Sequence, residues 1–146
     1  AVAMQEQLLP LADILTPNAF ELGWLSGRNI AGLADAELAA NEILANSGQR
    51  LRGIFATGID AGEDRIADML VMPEGIKTFT HPKKSHGVSG SGDVLSALVI
   101  SFYLRSKNLE DACQNASQLI RDMIAGTRSP LGLDVARLLA SANPEV

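Results

Sequence analysis

Apolar positions along the chain follow two rhythms. Ala12-Asp13-Ile14-Leu15-Thr16, stopped by Pro17, and Gly53-Ile54-Phe55-Ala56-Thr57, stopped by Gly58, are short runs that read as buried strands. Longer segments with helical spacing lie between and beyond them. One covers about 20–25 and closes at Gly27; another covers 36–46, with Asp35 as its N-cap and Gly48 at its end. Residues 1–9 read as the tail of a helix. Two apolar runs, 66–72 and 76–80, flank Pro73-Glu74-Gly75 and predict a hairpin with a three-residue turn. A loop is expected over 81–92, then a helix over 93–106 that is apolar almost all round and so should be buried. A further helix over 109–127 places Ala112, Ala116, Leu119, Ile120, Met123 and Ile124 on one side. Ser129-Pro130-Leu131-Gly132 breaks the chain before a last short helix starting at Asp134.

Strands alternating with helices imply βαβ units. The expected fold is α/β: a mostly parallel sheet covered by helices in a three-layer arrangement, with the hairpin at one edge, the whole chain forming part of one domain. Ligands bind such sheets beyond the C-terminal ends of the strands. That directs attention to 16–21 and to Thr57-Gly58.

Composition narrows the class. Hydrophobic residues make up 47% and charged residues 20%, which suits a folded core; aromatic residues are only 4%, so Leu, Ile, Val and Ala must fill it. The net charge of -5, with Lys83-Lys84 the only adjacent basic pair, argues against a nucleic-acid surface. No apolar stretch approaches the roughly 20 residues that span a bilayer, and with no charged n-region followed by an apolar stretch at residues 1–20 a signal peptide is not expected. The cytosol is the expected compartment. One cysteine, Cys113, excludes an internal disulfide framework and falls at a core position of a helix. His81 and His86 have no evident metal partners.

Gly90-Ser91-Gly92-Asp93 opens the helix over 93–106. The first turn of a helix has backbone N–H groups without intrahelical partners, glycine lets a ligand approach them, and the helix dipole adds partial positive charge. Together these suit a phosphate. A glycine-rich turn with a capping Asp accounts for the same residues. Asp93, however, would repel a phosphate, which makes sense if it must take a proton from an attacking hydroxyl. Asn18 and Glu21 share one side of a helix start, and their spacing reads as a capping box. Thr57-Gly58 is either an ordinary strand-end turn or a hydroxyl offered to a ligand. No G-x-x-x-x-G-K-[ST] is present, so this is not a P-loop protein.

The loop Val88-Ser89-Gly90-Ser91-Gly92-Asp93 resembles the anion-hole motif of the ribokinase superfamily, and Thr16-Pro17-Asn18-Ala19-Phe20-Glu21 with Leu25-Ser26-Gly27 closely resembles the corresponding segment of pyridoxal kinases. The likeness runs from about Leu9 to the last helix. It implies a ribokinase-like fold and ATP-dependent phosphorylation of the 5′-hydroxyl of pyridoxal, pyridoxine or pyridoxamine. Asp93 would be the general base, with Gly90, Ser91 and Gly92 as the anion hole. Thr16, Asn18, Thr57, Gly58, Lys84 and Val88 would contact ATP, and Glu21 with Asn18 would support Mg²⁺ through water. A monovalent cation is a further implied cofactor. Pyridoxal kinases carry a Thr-Ser or similar pair where this chain has Thr57-Gly58, so only Thr57 supplies a hydroxyl. Hydroxymethylpyrimidine kinases of the same branch often have Cys where this chain has Asp93, and sugar kinases more often read Thr-Gly-Ala-Gly-Asp. Those kinases, and a non-catalytic nucleotide-binding fragment, are the alternatives.

Family members carry an additional N-terminal half that supplies the first strands and most contacts to the vitamin, and nothing in this chain matches it. The expectation is therefore a C-terminal half, either a fragment or completed by another chain or by dimerisation; pyridoxal kinases are typically homodimers, but their usual interface involves the missing half. By itself it should bind nucleotide poorly and should not phosphorylate pyridoxal efficiently.

Overall fold

The structure is a computed structural model, and residues 4–48, 50–83 and 90–126 are described. The chain forms two compact units, Ala1–Lys83 and Lys84–Val146.

The first unit opens with a π-helical turn, Met4–Leu8, and a 3-10 turn, Leu9–Leu11. The segment is helical, as expected, but not an α-helix. Pro10 has no N–H to donate and disfavours the α conformation at Leu9. Then follow β1 (Ile14–Leu15), α1 (Ala19–Ser26), α2 (Leu33–Asn46), β2 (Gly53–Asp60), β3 (Arg65–Met72) and β4 (Gly75–Pro82). The sheet order is β1-β2-β3-β4. β1 and β2 are parallel, joined across the two helices; β2, β3 and β4 form an antiparallel meander.

Over these residues the sheet is thus mixed. The cause lies in β2, which passes Gly58 and ends at Asp60. Only 61–64 then connect it to β3, too short for the crossover a parallel pair requires. The β3–β4 turn is also tighter than expected. Met72 pairs with Gly75, so Pro73 and Glu74 alone make the turn, and Gly75 takes the φ of 148° that other residues avoid. β4 continues to Pro82, which pairs with Arg65, so the loop begins later than 81.

Helix α2 starts three residues before the expected point. Gly32 is its N-cap, and Asp35 sits inside the first turn with Oδ2 accepting the Ala31 N–H at 2.9 Å. Asp35 thus stabilises the start from within, as the acidic half of a capping box does. Ala36, Ala39, Ala40 and Ile43 form the buried stripe of α2, and they pack with Leu22 of α1, Ile54, Ala56 and Ile59 of β2, and Met69 and Val71 of β3. A bidentate Arg28–Glu42 ion pair, 2.6 and 2.9 Å, ties the end of α1 to α2 at the surface. Exposed pairs of this kind contribute about 0–1 kcal/mol, so the apolar stripe holds the helices.

The second unit contains α3 (Ser91–Ser106) and α4 (Leu109–Gly126), an antiparallel pair with a two-residue connection. Lys107 adopts φ 56° and donates its N–H to the Tyr103 carbonyl at 2.8 Å. Asn108 Oδ1 accepts the Asp111 N–H at 3.1 Å, which caps α4. Helix α4 buries Leu109, Ala112, Cys113, Ala116, Ser117, Ile120 and Met123, an i, i+3, i+4, i+7 pattern. Cys113 is a core residue, as expected. Helix α3 is not buried all round. Leu95, Leu98 and Val99 are inside, whereas Ile100 and Leu104 are 55% and 60% exposed. The expected break at 129–132 and the helix from Asp134 lie outside the described residues.

Candidate active site

Two groups of expected site residues are present, one in each unit. In the first unit, α1 begins with a complete capping box. Asn18 Oδ1 accepts the Glu21 N–H at 2.9 Å, and Glu21 Oε2 accepts the Asn18 N–H at 2.9 Å. Both side chains are exposed, and Glu21 Oε1 takes no part in the box. Gly27, at φ 70°, closes the helix eight residues later. The capping reading of Asn18 and Glu21 is therefore correct, and it leaves a carboxylate oxygen for a further role.

Thr57 lies beside this helix start. Asn18 and Thr57 form a parallel β-bridge, and the Thr57 N–H donates to the Pro17 carbonyl at 2.9 Å. The segment 16–18, with Thr16 half-buried between β1 and Pro17, thus acts as an extension of β1 along β2. Sequence placed these two stretches at strand ends; the bridge brings them side by side.

Thr57-Gly58 is not a strand end. Ala56 pairs with Met69 and Ile59 with Ala67, so Thr57 and Gly58 together oppose the single residue Asp68. This is a β-bulge, with Gly58 at φ 65°. The extra residue restores Ile59 to the face of Ile54 and Ala56. It also turns Thr57 out of the regular ladder, and the Gly58 N–H goes to Asp68 Oδ1 at 3.1 Å. No role was expected for Asp68. Its signal was present in the sequence, as a lone acidic residue inside the apolar run Ile66-Ala67-Asp68-Met69-Leu70-Val71.

In the second unit, Gly90 is the N-cap of α3 at φ 80°, ψ 0°, and makes no side-chain cap. The helix starts at Ser91, two residues earlier than expected, because Gly90 supplies the left-handed turn that launches it. The Val94 N–H returns to the Gly90 carbonyl at 3.2 Å, so the N–H groups of Ser91, Gly92 and Asp93 precede the first intrahelical bond. Asp93 is in the first turn and exposed, and it is not the N-cap. Asp93 is thus an acidic residue of the first turn, which suits the helix dipole, and it lies beside the first-turn amides.

Lys83 is paired with Asp60, Nζ to Oδ2 at 3.2 Å. The Gly62 N–H, first, and the Lys83 ammonium, second, hold the Asp60 carboxyl below the ordinary carboxylate range. His81 lies in β4 with Nδ1 3.3 Å from the Phe79 carbonyl. Among the described residues no three His, Cys, Asp or Glu side chains cluster as a metal cage, and no helix is long and apolar enough to cross a membrane. Lys84, His86 and Val88 lie outside the described residues. On the outer side of α1, Phe20, 81% exposed, and Trp24 line a shallow cleft of about 500 Å³.

Known proteins share this sequence and fold. The pyridoxal kinase PdxY of Granulibacter bethesdensis is 30% identical over 141 residues, covering 93% of this chain and 49% of that protein. The pyridoxal kinase of Entamoeba histolytica superposes with a TM-score of 0.85 at 24% identity, over 96% of this chain and 50% of that one. The Leishmania donovani pyridoxal kinase, solved with ADP and pyridoxine, gives a TM-score of 0.78 at 25% identity, over 95% and 50%. The chain spans about half the length of the curated relatives it matches. Its fold is the ribokinase-like α/β fold of these enzymes over that half. The phosphomethylpyrimidine kinase family model matches residues 1–136, and the chain belongs to that family.

Proposed function

We propose that this chain is the nucleotide-binding and catalytic half of a kinase that transfers the γ-phosphoryl group of ATP to the 5′-hydroxyl of pyridoxal, pyridoxine or pyridoxamine. The observation that carries the reading is the bridge between Asn18 and Thr57, which sets a capped helix start beside a strand bulge. Similarity to pyridoxal kinases over nearly the whole chain supports the choice of acceptor.

The chemistry follows from what each group can do. Asp93, exposed in the first turn of α3, accepts the proton of the substrate hydroxyl as its oxygen attacks the γ-phosphorus. The bond from the γ-phosphorus to the bridging oxygen breaks, and ADP leaves. The N–H groups of Ser91 and Gly92, with the turn formed by Gly90, stabilise the charge gathering on the transferred group. The Thr57 hydroxyl, Gly58 and Thr16 receive the nucleotide phosphates, together with Lys84 and Val88. A single carboxylate with a neighbouring amide fits Mg²⁺, which keeps several waters and takes its other ligands from phosphate. Glu21, through the oxygen outside the capping box, and Asn18 would hold its waters. When bound, Mg²⁺ neutralises the polyphosphate charge. The reading carries with it a monovalent cation, a cytoplasmic location and assembly as a homodimer or with an N-terminal half.

Asp93→Ala tests the base. Turnover should fall about 10²–10⁴-fold while the affinity for ATP changes little. Unchanged turnover would remove Asp93 from the mechanism and leave a nucleotide-binding role alone. The family description names a phosphomethylpyrimidine kinase, which makes a methylpyrimidine the second acceptor class.

A further inference from the structure

We infer that Asp68 is a positioning residue that fixes the Thr57–Gly58 bulge for nucleotide phosphates; this rests on the kinase reading of Thr57. Asp68 is only 5% exposed, in the middle of β3. Its register partner is Phe79, and its neighbour on the same face, Leu70, pairs with Phe55. The rings of Phe55 and Phe79 meet edge to face at 6.2 Å. A carboxylate among such residues is costly to bury unless it is hydrogen-bonded. An apolar residue would fit this strand better, as Met69, Leu70 and Val71 do immediately afterwards.

What the carboxylate supplies is an acceptor at the one place where the ladder lacks one. Two residues oppose Asp68 where a regular strand would place one. The Thr57 N–H is taken by Pro17, so the Gly58 N–H is the donor left over by the bulge, and Asp68 Oδ1 receives it at 3.1 Å. Gly58 in the left-handed conformation and this bond together fix the direction of the peptide that follows Thr57. Asp68 acts on the nucleotide only through Thr57 and Gly58.

Two isosteric variants in the full chain separate positioning from folding. Asp68→Asn keeps an oxygen acceptor; Asp68→Leu keeps the shape and removes it. Urea unfolding midpoints and the Kd of Mg·ATP by calorimetry are measured for both and for the unsubstituted chain. Asp68→Leu relieves the cost of a buried charge but leaves the Gly58 N–H without its acceptor, so its unfolding midpoint should change little. Its Mg·ATP affinity should nevertheless fall about tenfold, the effect of a lost hydrogen bond to a charged group. Asp68→Asn should bind within about twofold of the original. Equal affinity in Asp68→Leu overturns the inference and leaves the kinase reading intact. So does a loss in Asp68→Asn as large as in Asp68→Leu, and Asp68→Asn decides the matter if Asp68→Leu does not fold. An unsubstituted full-length polypeptide, with its N-terminal half, that binds no nucleotide sinks the kinase reading, and this inference with it.

Discussion

Asp60 closes the β2–β3 turn with two donors, the Gly62 N–H and the Lys83 ammonium. Both favour its charged form, so the folded chain holds it below the ordinary carboxyl value. Protonation therefore favours the unfolded chain. The stabilisation is complete above the ordinary value and is lost as pH falls through the lower folded value, below about pH 4. Asp60→Asn should flatten the loss of stability in that acid range, measured by urea unfolding at several pH values. In Lys83→Met the Asp60 titration, followed by NMR, should move up but stay below the ordinary value, because the Gly62 N–H is the larger cause. At this scale sequence was informative wherever a residue acts on its neighbours. Asn18 and Glu21 pair three apart, so their capping box was legible. Asp68 acts on Gly58 ten residues away, and only strand register reveals that contact.

Helix α1 shows what an element adds. Its N-cap holds the first turn while the same residues face the Thr57 strand. Asn18→Ala should destabilise the chain by about 1 kcal/mol, the usual effect of a lost cap, and weaken nucleotide binding as well. Asn18→Ser restores a capping oxygen. Stability should return, read by thermal unfolding, while nucleotide affinity should not, since the amide is gone. Most elements could be read from spacing, because Gly27, Gly48 and Gly90 punctuate them through their own backbone preferences. The extension of β2 could not, since Gly58 reads as a stop in isolation. A bulge makes it part of a continuing strand, and that depends on the partner strand. The exposure of Ile100 and Leu104 escaped for a related reason: an apolar run states which residues avoid water, not which of them find cover.

For the molecule as a whole, the chain spans about half the length of its curated relatives. Acceptor choice belongs to that larger scale. With pyridoxal, a hydroxymethylpyrimidine and a sugar offered to the full polypeptide in turn, pyridoxal should be the one phosphorylated, detected by ADP release. Turnover of another acceptor without pyridoxal would move the assignment to a neighbouring branch of the family. The fold class was legible because alternation of strands and helices is a property of the entire sequence. The antiparallel pairing of β2 with β3 was not, because it turns on one short connection, 61–64.

The chain carries one tryptophan, Trp24, and it lies on α1, three residues beyond Glu21 and 36% exposed. Its indole emission therefore comes from a single place, the helix whose start meets Thr57. The chain has its own fluorescent probe one helical turn beyond Glu21, with no label to attach.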